Sequence, residues 1–132
     1  MKMTGNKILL DTNIVIEVLN GNKEIADKIN DLSGFSISAV VLGELYIGVN
    51  RVSNKSKHLK MLRDFLQLCT VIDVTEETAQ HYGEITSFLF KKGKPIPTND
   101  IWIAASAKQH GYTLITRDKH FKEIKDITVK HW

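Results

Sequence analysis

The sequence predicts an α/β fold, with a mostly parallel central sheet of about four to five strands flanked by helices on both faces. Short β-like runs alternate with helical patterns along all 132 residues. Strands separated by helical stretches need crossover connections, and crossovers make a parallel sheet. The length is that of one domain, 1–132, and the chain carries no repeat, low-complexity stretch or linker.

The elements follow in order. Lys7 to Asp11 reads as a buried strand, and Asn13 to Leu19 as a short helix that Asn20-Gly21-Asn22 ends. Lys23 to Leu32 is amphipathic, with Ile25, Ile29 and Leu32 at helical spacing, and Gly34 stops it. Phe35 to Ser38 is a short strand, and Ala39 to Asn50 an apolar helix. Lys55 to Leu68 places Leu59, Leu62, Phe65 and Leu66 on one face. Thr70 to Val74 is a strand, and Glu76 to Lys91 a helix with Thr75 and Thr78 as capping candidates. Two prolines make a loop of Lys91 to Pro97. Asn99 to His110 is a helix ended by Gly111, and strands Tyr112 to Thr116 and Ile127 to Lys130 follow.

Composition narrows the function. The hydrophobic fraction is 42% and the charged fraction 25%, ordinary values for a soluble globular protein. The single cysteine, Cys69, excludes an intramolecular disulfide and a cysteine-based zinc site, and its apolar surroundings suit a structural thiol. No stretch approaches the roughly 20 apolar residues of a membrane helix. The apolar run Ile8-Leu9-Leu10 is too short for a signal peptide. The expected compartment is the cytoplasm. The net charge of +3 permits a polyanionic partner. Arg51, Lys55, Lys57, His58, Lys60 and Arg63 form a stretch without an acid, and Lys91, Lys92 and Lys94 a second cluster. Solvated helix ends account for any one of these cations; together they are positive patches of the kind phosphate binding needs.

The acids carry the chemistry. Asp11 and Asp118 each follow a strand of the sheet, which puts both at its carboxyl edge, where ligands of such folds bind. Asp100 stands in the first turn of its helix. A crossover helix antiparallel to the strands is expected to start at the opposite edge, away from the other acids, although the long loop before it frees that start. Topology leaves Asp100 open. Helix capping explains Asp11, Asp100 and Asp118 taken singly. Glu44 resists that explanation. Val40, Val41, Ile47 and Gly48 lie on its helical face, and that face is apolar. A carboxylate there is desolvated and needs a metal or a distant cation. Several carboxylates without histidine or cysteine favour Mg2+ or Mn2+. Such ions activate a water for in-line attack on a phosphodiester. Thr12, Asn13 and Thr116 supply short polar side chains that can orient the acids.

At these residues the sequence resembles PIN domains, and specifically the VapC toxins of toxin–antitoxin pairs. The resemblance runs over nearly the whole chain: Ile8-Leu9-Leu10-Asp11-Thr12-Asn13, then Ser38 to Gly48 around Glu44, then Ile96 to Ala105 around Asp100, then Thr113 to Phe121 around Asp118, and the ending Ile127 to Trp132. It implies that Asp11, Glu44, Asp100 and Asp118 are the metal-binding and catalytic acids, Asp100 included. It implies that Thr116 is the family's hydroxyl position, and that Asn13 and Asn99 match accompanying positions. It further implies a Mg2+- or Mn2+-dependent endoribonuclease that arrests translation by cutting transfer or ribosomal RNA. The partners implied are the RNA, a second copy of the chain, and an antitoxin through which the complex reaches operator DNA; no membrane is involved. Arg51, Lys55, Lys57, Lys60, Lys91, Lys92, Lys94 and Arg117 are the expected contacts to the RNA backbone.

Two other readings compete. A haloacid-dehalogenase-type phosphatase needs an aspartate where Asn13 stands, and a response-receiver domain needs an early acidic pair that is missing. A solitary RNA-processing PIN nuclease, or an inactive PIN-fold binding module, is the nearer alternative.

Overall fold

The computed structural model describes residues 7–132; Met1 to Asn6 lie outside the description. Five strands form one sheet: β1 (Ile8–Leu10), β2 (Ser36–Ser38), β3 (Thr70–Ile72), β4 (Thr113–Thr116) and β5 (Thr128–His131). Their order is β3-β2-β1-β4-β5, and every pairing is parallel. Leu9 faces Ser36 on one side and Leu114 on the other. The helices are α1 (Thr12–Leu19), α2 (Lys23–Asn30), α3 (Ala39–Arg51), α4 (Lys55–Leu66), α5 (Glu76–Lys92) and α6 (Thr98–His110). No helix among the described residues is long and apolar enough to cross a membrane.

The strand order decides where the helices lie. From β1 to β3 the chain steps toward one edge; from β3 to β4 it jumps back across β2 and β1. Right-handed crossovers then put α1 to α4 on one face and α5 and α6 on the other. Strands covered on both faces should be apolar throughout. Leu9, Leu10, Ile37, Leu114 and Ile115 are accordingly completely buried. The direction of winding reverses between β1 and β4, so the crevice of the fold opens beyond Leu10 and Thr116.

Local signals set the element ends. Asn22 accepts the Ile25 N–H at 3.2 Å and starts α2 immediately after Gly21, whose φ of +86° requires glycine. Thr75 and Thr78, the expected capping candidates, form a capping box at the start of α5. The observed ends differ from the expected ones by one or two residues, as frayed ends do. The element missing from the sequence reading is a 3-10 helix, Lys119–Glu123, directly after Asp118. Cys69 is partly buried, and burial pushes its thiol up to about 11, which fits a structural role.

Candidate active site

Asp11 begins the site. It caps α1 by accepting the Thr12 N–H at 2.8 Å, yet it is only 4% exposed, unusual for a capping carboxylate. Its other oxygen receives the Thr116 hydroxyl at 2.6 Å and the Asn13 amide at 3.3 Å. Thr116 also accepts the Asp118 N–H at 2.9 Å, and Asn13 accepts the Arg117 N–H at 3.2 Å. Parallel pairing of β1 with β4 brings these segments together, so two strand ends share one polar network. Burial, and to a lesser degree the charge of Asp118, raises the Asp11 carboxyl above its ordinary range; the bonds from Thr116 and Thr12 pull against this.

Asp100 joins from the other face of the sheet. The expectation that an antiparallel helix would start at the far edge is corrected here. Gly111 leads from the end of α6 directly into β4, so a helix antiparallel to that strand ends at the amino edge and begins at the carboxyl edge. The Asp100 side chain is 17% exposed, and its carboxyl is pushed up to about 6. Burial is the largest cause; next come the charges of Asp11, Asp118 and Glu44, with His120 opposing them.

Glu44 arrives on α3 and accepts the Thr12 hydroxyl at 3.1 Å. Its helical face is less buried than expected. The face that α3 buries is Val41, Leu45 and Val49, whereas Ile47 is 50% exposed. Glu44 is therefore half-buried at the border of the core. Its carboxyl is still raised, first by burial and then by the charge of Asp11, against the Thr12 bond. Beside it an apolar groove of about 220 Å3 opens, lined by Ile16, Leu45, Val49 and Met61 among others.

The structure thus gathers Asp11, Glu44, Asp100 and Asp118 at one edge, with Thr12, Asn13 and Thr116 as their hydrogen-bond partners. Asn99 is exposed and joins none of these bonds. Among the described residues no lysine or arginine pairs with any of the four acids. Arg117 pairs with Glu17 at 3.3 Å, Lys60 with Asp64 at 2.9 Å and Lys92 with Glu123 at 3.0 Å. Arg51, Lys55, Lys57, Lys91 and Lys94 are exposed. The residue that sequence reasoning missed is His120, whose Nδ1 lies 3.1 Å from Asp118 and 3.7 Å from Asp100. The local link is the Asp118 cap, which accepts the N–H of His120 two residues on.

Such a donor set fits a divalent cation. One ligand atom each from Asp100, Asp118 and His120 lies within 4.8 Å of the others, and the neighbouring acids repel one another without a cation to offset them.

Known proteins resemble this chain over most of its length. The PIN domain family model matches residues 8–127. Ribonuclease VapC2 of Haemophilus influenzae is 33% identical over 129 residues, covering 96% of this chain and 98% of that protein. The tRNA(fMet)-specific endonuclease VapC of Salmonella typhimurium is 30% identical, over 96% of this chain and 98% of that one. Among solved structures, VapBC2 from Rickettsia felis bound to a DNA fragment from its promoter superimposes with a TM-score of 0.91 at 31% identity, covering 95% of this chain and 98% of that one.

Proposed function

Because the chain belongs to the PIN-domain family, and within it to the VapC ribonucleases, we propose that it is a divalent-metal-dependent endoribonuclease that cuts transfer or ribosomal RNA and so arrests translation. The observation that carries this reading is the convergence of Asp11, Glu44 and Asp118 on Asp100, whose carboxyl is raised to about 6, first by burial and then by the charges of those three acids. Asp11, Glu44, Asp100 and Asp118 would hold Mg2+ or Mn2+, which when bound would activate a water and offset charge on the phosphate. The chain's own residues supply the rest. Thr116 and Asn13 fix the rotamer of Asp11, and Thr12 fixes Glu44. The hydrolysis leaves a 5′-phosphate and a 3′-hydroxyl. The exposed cations Arg51, Lys55, Lys57, Lys91 and Lys94 are free to meet the RNA backbone; Lys60, Lys92 and Arg117 must first leave their carboxylate partners.

The same reading gives the protein an antitoxin, a homodimeric state and a cytoplasmic site of action, with operator DNA contacted through the antitoxin complex. The VapBC2 complex on promoter DNA supports the antitoxin and the DNA. The apolar groove beside Glu44 offers an antitoxin segment a seat that ends on the acids.

The test is cleavage of purified transfer and ribosomal RNA with Mg2+ and with chelator. Wild type is expected to cut only with the metal, and Asp11→Asn to lose about three orders of magnitude in rate, since several kcal/mol of transition-state stabilisation pass through the ion. Equal cleavage by the two proteins sinks the reading.

A further inference from the structure

Oxygen donors do not stand alone on the open side of the site. The 3-10 helix Lys119–Glu123 is capped by Asp118, whose Oδ1 accepts the His120 N–H at 2.9 Å. The next residue, Phe121, is completely buried. The backbone of His120 is therefore pinned on both sides, by a cap and by the core. From that fixed point its ring turns Nδ1 toward two carboxylates at 3.1 Å and 3.7 Å, although the side chain is 57% exposed and has open solvent available.

These separations suit a shared ion. With bonds of about 2.1 Å, neighbouring donors of an octahedral cation lie about 3.0 Å apart and opposite ones about 4.2 Å. The Nδ1 to Asp118 distance of 3.1 Å matches a neighbouring pair, and all three donors stay within 4.8 Å of one another. The nitrogen and the two oxygens come from three chain positions, on α6, after β4 and in the 3-10 helix, and converge at one place.

We propose that His120 is a direct ligand, through Nδ1, of the divalent ion held between Asp100 and Asp118, and that it biases the site toward Mn2+ over Mg2+. The proposal rests on the metal-dependent reading of this site and adds a nitrogen to its ligand set. Mg2+ takes oxygen almost exclusively, whereas imidazole adds affinity along the transition-metal series. The ring is then more than a counter-charge.

Mn2+ is the probe, because its electron spin reports bound nitrogen directly. Pulsed electron paramagnetic resonance of the Mn2+-loaded full chain is expected to show 14N coupling, and His120→Gln to abolish it. The chain has five histidines, so the variant is what assigns the signal. Calorimetry should show His120→Gln weakening Mn2+ binding about tenfold or more, and Mg2+ binding by much less. Circular dichroism confirms that the variant, altered at an exposed side chain, is folded. Mn2+ bound without 14N coupling, or coupling that survives in His120→Gln, overturns the ligand assignment and leaves the metal-dependent reading intact. Equal losses for both ions overturn the selectivity. Failure of the wild type to bind either ion overturns both readings together.

Discussion

Two of the buried threonines, Thr78 and Thr116, each tie together distant segments of the chain through their hydroxyls. Thr78 accepts the Thr75 N–H at 2.9 Å and donates to the Gln109 side-chain oxygen. Gln109 returns a bond to Thr75 at 3.1 Å, so the ring of contacts is neutral and closed. Thr116 accepts the Asp118 N–H and donates to Asp11 at 2.6 Å. Its network ends on a carboxylate that no lysine or arginine of the described residues neutralises. Burial and hydrogen bonding are alike in the two places. What differs is a charge left without its counterpart, and that is the physical mark of a site rather than a strut.

Two valine substitutions put the difference to the test. Thr116→Val keeps the shape and removes the donor that orients Asp11. RNA cleavage is expected to fall roughly 10–100-fold, the usual cost of losing a group that positions a metal ligand. A variant that cleaves at the wild-type rate would make Thr116 as structural as Thr78. Thr78→Val should do the opposite. It leaves the Thr75 N–H and the Gln109 amide unsatisfied, so the urea midpoint should report a loss of about 1–3 kcal/mol. Cleavage per folded molecule should stay at the wild-type level, because Thr78 touches none of the acids.

Both networks were legible in the sequence only in part: the Thr75 and Thr78 pair was, but not the Gln109 side chain that closes it. Thr75 and Thr78 three residues apart before a helical pattern are a local signal, and the two form a capping box. Asp11 and Asp118 could be placed because each follows a strand, a short-range relation. Asp100 could not, because its position depends on the direction in which α6 enters β4, and the direction was argued with the wrong edge. Glu44 stood out as the acid on an apolar helix. Its surroundings were misjudged, because α3 turns Val41, Leu45 and Val49 inward and leaves Ile47 half in solvent. His120 escaped notice because a 3-10 turn has no hydrophobic period to betray it.

Stored charge also predicts a pH dependence that the neutral network cannot have. In chelator, folded Asp100 keeps its proton up to about 6, against an ordinary value of 3.8. Between those limits the unfolded chain has released the proton and the folded one has not. The folded state therefore binds more protons, and stability falls as pH rises through that window. Asp100→Asn should flatten this part of the curve, measured as urea midpoints from pH 4 to pH 7, and saturating Mg2+ should offset the fall in the wild type. A fall that persists undiminished in Asp100→Asn would assign the stored charge to another group.

Thr12 and Glu44 stand between the two cases, and they set the smallest effect. Thr12 donates to a carboxylate, as Thr116 does, but that carboxylate is half-buried and water shares its solvation. Burial and the neighbouring charge of Asp11 both disfavour ionised Glu44, while the Thr12 bond favours it. The first two dominate, since the carboxyl is raised, so Glu44→Gln in chelator should raise stability by roughly 0.5 kcal/mol, the scale of a solvent-screened pair. The same substitution should lower Mg2+ affinity, measured by calorimetry. A clear loss of thermal stability in chelator would mean that the Thr12 bond outweighs the repulsion, and that Glu44 belongs with Thr78 among the struts.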